Sequence, residues 1–252
     1  MKHPIQLVTL TVLLFIAGST NTRAQINLSK WQVGVNGGIF VYQGDLTPSD
    51  VGSYKTVMPA FGFYISRILN PAFLLRTNVA FGKLYGDDAK YNSPVWRQQR
   101  NYGFATPVAE ISELLVWNML SNNGNELGRK VSPYIFGGLG VSFLKINRDT
   151  SNFNTHYFAA ATNLMNGLIA DLNRMPPRAA LVVPMGLGLE FYLSPRLSLT
   201  AETSFRLTFT DYLDGFSLGA NPEKKDFYYS HTIGLMYRFG KSNSLSCPVN
   251  TR

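Results

Sequence analysis

The chain has 252 residues, of which 45% are hydrophobic, 13% aromatic and 15% charged, with a formal net charge of +8. Soluble domains carry about 25% charged residues, so this chain is poorly supplied for a surface wholly in water. Setting aside Lys2 and Arg23, which fall in an N-terminal leader, leaves 21 basic against 15 acidic residues, or +6, and on an exported chain that excess does not point to nucleic acid.

Residues 1–24 read as a signal peptide. Lys2 and His3 precede an apolar run from about Leu7 to Ala17, and small and polar residues lead to Thr22-Arg23-Ala24 before Gln25. The run is too short to span a bilayer and has the flanks of a secretory leader. Exported, apolar, aromatic and helix-poor is the profile of an outer-membrane β-barrel, whose lipid-facing wall replaces a charged surface. The barrel is expected over 25–240 and a tail over 241–252.

Strands are expected near 31–42, 57–68, 72–84, 102–118, 131–146, 179–193, 196–209 and 228–239. The later ones alternate cleanly: Leu197, Leu199, Ala201, Thr203, Phe205, Leu207 and Phe209 interleave with Ser198, Thr200, Glu202, Ser204, Arg206 and Thr208. Alternation with period two places one set against lipid and the other in the lumen. The fourth segment is irregular, because Glu110 and Glu113 have opposite parity, so one must leave the lumen or sit across a bulge. The fold class is all-β, an eight-stranded antiparallel transmembrane β-barrel.

Leu69-Asn70-Pro71 and Ser194-Pro195 make tight turns, whereas 43–56, 85–101, 147–178 and 210–227 are long connections. Outer-membrane barrels keep short turns in the periplasm and long loops outside, which puts both termini in the periplasm. Two aromatic belts are expected, with Trp31, Phe73, Trp117, Tyr134, Phe191 and Tyr237 at the short-turn end. Phe40, Phe61, Phe81, Phe143, Phe209 and Tyr229 fall at the long-loop end. In the third long loop, Leu164, Leu168, Ile169 and Leu172 repeat at helical spacing within 158–172, ahead of Pro176-Pro177, and predict a short amphipathic helix.

An eight-stranded barrel is just wide enough for its own side chains. By parity the lumen receives Arg76, Glu190, Glu202, Arg206 and Arg238, with Glu110 or Glu113, a balanced set expected to pair across strands as a polar plug. Chemistry finds little support. His3 leaves with the leader, His156 lies in a loop, and Ser230 and His231 point to opposite faces of one strand. No histidine or cysteine cluster has ligand spacing, Asp87-Asp88 reads as a solvated turn, and no catalytic residue, metal, cofactor or small-molecule substrate is expected. Asp211, Tyr212, Asp214 and Gly215 follow the seventh strand and read as a turn at the outer rim. Cys247 is the lone cysteine, a candidate for an intermolecular disulfide.

The stretches GVNGGIFVYQGDL (34–46), SPYIFGGLGVSFL (132–144), VPMGLGLEFYLSPRLSL (183–199) and FRLTFTDYLDGFS (205–217) resemble the Bacteroidota outer-membrane β-barrel family that includes PorG of the type IX secretion system. Thr210-Asp211-Tyr212-Leu213-Asp214 is the most specific part. The ending Gly234 to Phe239 resembles the C-terminal signal read by the barrel-assembly machinery, although a tail follows it here. The resemblance implies a non-enzymatic barrel that binds a periplasmic ring of a PorK-like lipoprotein and a PorN-like protein and helps to anchor the secretion machine. A general envelope scaffold of the same family is the alternative, ahead of a small-solute channel or a lipid-modifying enzyme.

Overall fold

The computed structural model describes residues 28–48, 52–121, 123, 130–222 and 225–239. The leader, Cys247 and the rest of the tail lie outside the described residues. Among the described residues nine strands form in chain order: β1 (Trp31–Gln43), β2 (Met58–Ile68), β3 (Phe73–Asp87), β4 (Gly103–Asn118), β5 (Val131–Leu144), β6 (Asn147–Asp149), β7 (Ala179–Tyr192), β8 (Leu197–Thr208) and β9 (Phe227–Arg238). All of them except β6 make an antiparallel ring in sequence order, closed by β1 on β9 and by β3 on β4. The short β6 pairs with Gly103–Ala105 and extends β4 beyond the wall.

Parity decides every wall. On β8, Ser198, Thr200, Ser204, Arg206 and Thr208 are buried, and their odd-numbered neighbours face out. The outer surface is a band of exposed apolar side chains, among them Val35, Phe63, Ile111, Leu139, Leu187 and Ile233. Such a continuous band has no place in water and matches the hydrocarbon-facing surface of a transmembrane barrel. β4 carries no bulge, since its registers with β3 and β5 run without a break, so Glu110 points in and Glu113 points out.

The tight turns are closed by side chains that follow the strand ends. Asn70 Oδ1 accepts from the Ala72 and Phe73 N–H groups at 2.9 Å each, and Ser194 Oγ accepts from Leu197 N at 3.0 Å, the bonds that favour Asn and Ser in turns. Two aromatic assignments need correction. Phe40 and Tyr134 have inward parity and are buried in the lumen rather than standing in the belts. Tyr134 is needed there for its hydroxyl, and Gly188 makes room for its ring, since a Cβ at Gly188 would lie 2.4 Å from Tyr134 Cζ.

Two helices sit at the long-loop end, α1 (Trp96–Arg100) and α2 (Thr162–Asn173). The expected helix therefore starts later and docks by another face. Gly167, Leu168 and Asp171 are buried, while Ile169 and Leu172 are exposed. The docking contact is made through a glycine and a carboxylate, so apolar periodicity could not locate it.

Candidate functional site: the filled lumen and the loop cap

Three ion pairs stand in tiers down the lumen, each joining strands that are not neighbours. Nearest the long loops, Arg206 Nε lies 2.7 Å from Glu110 Oε2, and Arg206 also donates to Ser204 and Ser230 Oγ at 2.6 and 2.7 Å. Tyr228 donates to the same Glu110 oxygen at 2.8 Å. In the middle, Arg76 Nη1 lies 2.5 Å from Glu202 Oε1, which also accepts from Tyr134. The Arg76 guanidinium lies 4.3 Å from the centroid of the Tyr64 ring, a cation–π contact. Nearest the short turns, Arg238 Nη2 lies 3.1 Å from Glu190 Oε1.

Together Arg76, Glu110, Glu190, Glu202, Arg206 and Arg238 account for the inward charges of the eight wall strands, and each pairs with an opposite charge on a strand that is not its ladder neighbour. Space confirms that this interior is filled. The void beside Glu110, Glu202 and Arg206 measures about 20 Å³ and the one beside Arg76 and Glu190 about 10 Å³, each the room of about one water. A hydrated solute has no path through such a core.

Above it the long loops fold into a cap. Their apolar residues Leu46, Tyr102, Leu168, Leu213 and Phe216 share one core with Phe40, Tyr42, Leu84 and Tyr228 at the top of the barrel. The Tyr102 and Phe216 rings stack with centroids 4.4 Å apart. Buried carboxylates then tie the loops to one another and to the barrel top, and none of them behaves as a surface turn.

The first is Asp88, which is fully buried rather than solvated as its sequence context suggested. Arg97 Nη1 and Arg100 Nε contact its oxygens at 2.9 and 2.6 Å, and both arginines reach on to the Asp45 carbonyl of the first loop at 3.3 and 3.2 Å. Residues three apart on a helix share a face, so the Arg97–Arg100 spacing on α1 was a legible signal. The second is Asp171 on α2, which accepts from the Ser217 and Gly219 N–H groups at 3.0 and 2.7 Å and from the Tyr212 hydroxyl at 3.1 Å. Arg148 donates to the carbonyls of Asp171, Gly215 and Arg174 beside it.

The third is Asp214, also corrected from the rim to the interior of the cap. Tyr42 Oη lies 2.7 Å from Asp214 Oδ2 and 2.7 Å from Asp226 Oδ1. Asp226 accepts from Leu213 N at 2.9 Å, and Asp214 from Phe216 N at 2.8 Å. Burial above all holds both carboxyls well above the usual carboxylate range, helped by the charges of Asp226 and Asp45 at Asp214 and of Asp45 and Asp211 at Asp226. Gly215 turns the chain there with φ of +86°, and a Cβ would meet Arg148 Cδ at 2.6 Å. Asp211 is half-buried at the edge of the cap.

His231 faces outward with Nε2 at 2.9 Å from Tyr54 Oη and Nδ1 at 3.1 Å from Thr203 Oγ1, while Ser230 points into the lumen onto Arg206. Among the described residues no group of three or more His, Cys, Asp or Glu is arranged to hold a metal.

A family described as Domain of unknown function (DUF6089) matches residues 7–248. The chain belongs to that family. No curated protein matches it. Among solved structures it is similar to Ail, the attachment invasion locus protein of Yersinia pestis, in complex with the heparin analogue sucrose octasulfate, at 13% identity and a TM-score of 0.44, covering 83% of this chain and 97% of Ail. It is likewise similar to Neisserial surface protein A, at 11% identity and a TM-score of 0.45, covering 83% and 97%. A major outer membrane protein of Thermus thermophilus gives 12% identity and a TM-score of 0.44, covering 83% and 99%.

Proposed function

We propose that this member of the DUF6089 family is a non-enzymatic anchoring component of the outer membrane, assembled into the type IX secretion system. The observation that carries the reading is the closed interior. Three ion pairs between non-neighbouring strands fill the lumen and a folded cap covers it, so the outer wall, the loop cap and the short-turn side are what such a barrel offers to others. The exposed apolar band supports a place among outer-membrane lipids, and the short-turn and long-loop asymmetry supports termini on the periplasmic side.

The likeness of 34–46, 132–144, 183–199 and 205–217 to PorG-containing Bacteroidota barrels supports the secretion pathway and supplies the partner class. That partner is a periplasmic ring of a PorK-like lipoprotein and a PorN-like protein, met on the short-turn side, with Cys247 of the tail available for a disulfide. The test is a pull-down of the tagged barrel from native membranes in gentle detergent, analysed with and without reductant. Recovery of the ring supports the assignment, and a reductant-sensitive adduct lost in Cys247→Ser places the disulfide. Recovery of the barrel alone shifts the reading to a general envelope scaffold.

A further inference from the structure

Two lysines flank one residue of β4 on the outer wall, at the long-loop end. Lys83 of β3 pairs with Pro107, whose carbonyl accepts from Lys145 N at 3.2 Å just past the end of β5. Both lysines have outward parity and are exposed. With strands about 4.8 Å apart, their Cα atoms stand about 10 Å from each other across β4, a span that two flexible four-carbon stems can close on one anionic group. Neither lysine makes an ion pair among the described residues. The carboxylates further out on the same face, Asp87 and Asp149, are each four residues away. They already accept from Tyr85 and Ser151.

Below the lysines the wall is hollow. Two residues deeper, Ala109 pairs with Phe81 on one side and Phe143 on the other, so β4 offers only Pro107 and Ala109 between the larger side chains of its neighbours. The open hollow measures about 520 Å³, with Phe61, Phe81 and Phe143 beside it and Lys83 and Lys145 at its outer edge. A second hollow of the outer wall, of about 540 Å³ around Val35, Phe63 and Leu235, has no charged lining. Size therefore does not distinguish the two, and charge does. The uncharged hollow suits any acyl chain, whereas the one under the lysines is complementary to an amphiphile that joins acyl chains to an anionic head. Lysine stems lie along apolar surface and carry their ammonium groups to the headgroup level, which the phenylalanine row marks. There lysine meets phosphate as a point charge.

We propose that this hollow is a binding site for a phosphorylated glycolipid, the class of lipid that fills the outer leaflet of an outer membrane. Its acyl chains lie over Pro107 and Ala109 between the phenylalanine rings, and its phosphate is held between Lys83 and Lys145. The choice of leaflet rests on the long loops lying outside, as in the reading above, and the secretion role is not needed for it.

The test titrates the full-length barrel, purified in detergent, with lipid A, with lipid A stripped of its phosphates and with phosphatidylglycerol, and counts bound lipid by native mass spectrometry. Lipid A is expected to bind in preference to the other two. Lys83→Gln and Lys145→Gln should each weaken it about fivefold, and Ala109→Trp should weaken it by filling the hollow. Arg67→Gln, on the rung of Trp31 at the opposite end of the wall, should leave it unchanged. Heat-modifiable migration shows that each variant has folded. In intact cells, Ser151→Cys on a Cys247→Ser background is expected to react with a membrane-impermeant maleimide. No reaction there would put the long loops in the periplasm and overturn the leaflet, whatever the purified barrel binds. Equal binding of phosphate-free lipid A or of phosphatidylglycerol, undiminished binding in the Lys83→Gln, Lys145→Gln double variant, or as large a loss in Arg67→Gln would each overturn the site itself.

Discussion

Tyr42 has one hydroxyl proton, yet two carboxylate oxygens lie 2.7 Å from its oxygen. It can donate to one of them only. The other carboxyl must bring a proton of its own, so the Asp214–Asp226 pair holds a shared proton in the closed cap. With folded values raised above the unfolded value of about 3.9, these groups favour the closed cap fully at pH below that value. The contribution is lost as pH rises through the raised folded values. Amide exchange across 210–226 is therefore expected to accelerate as the medium becomes more alkaline. Asp214→Asn supplies the missing proton as an amide N–H toward Tyr42 while its oxygen still accepts from Phe216, so this variant should show a flattened pH profile. An unaltered profile in Asp214→Asn would remove the shared proton from the account.

At the scale of elements, α2 is held to the fourth loop less by its apolar residues than by Asp171, which caps the 217–219 turn through backbone N–H groups. Replacing Asp171 with Ala leaves buried donors without an acceptor, at about 1–3 kcal/mol each. The helix should then detach while the wall persists, because no strand pairing passes through it. Limited proteolysis is expected to cut 150–178 in Asp171→Ala and spare it in the parent, with heat-modifiable migration unchanged. Cutting in both proteins alike would show that the cap is open regardless of Asp171.

For the whole molecule, the lumen pairs act as cross-braces between distant strands, adding long-range contacts that the nearest-neighbour ladder lacks. Arg206→Ala strands Glu110 in the interior and should destabilise the barrel by about 3–5 kcal/mol, read as a lower temperature of conversion to the unfolded band on a gel. Removing both partners, with Arg206→Ala and Glu110→Ala together, should recover part of that loss because no uncompensated charge remains. If the single variant unfolds at the parent's temperature, the pair has no bracing role.

Strand number, order and parity were readable along the chain because a membrane wall imposes alternation on each strand separately, and turn residues such as Asn70 and Ser194 mark where strands end. The inward positions of Arg76, Glu190, Glu202, Arg206 and Arg238 followed from the same parity. Which charge meets which did not, since Arg76 and Glu202 are brought together by curvature over 126 residues. The phase of β4 was undecided between Glu110 and Glu113 until the ladders on both sides chose it. The cap was least legible: Asp88 and Asp214 sit in stretches with every local mark of a hydrated loop, and Asp171 is a charged residue on a helix expected to dock by its apolar side chains. Their burial depends on the packing of other loops and of the barrel top around them, as when Asp171 meets Ser217 and Gly219 and Asp214 meets Tyr42, and only the closed ring of strands brings those parts to a common mouth.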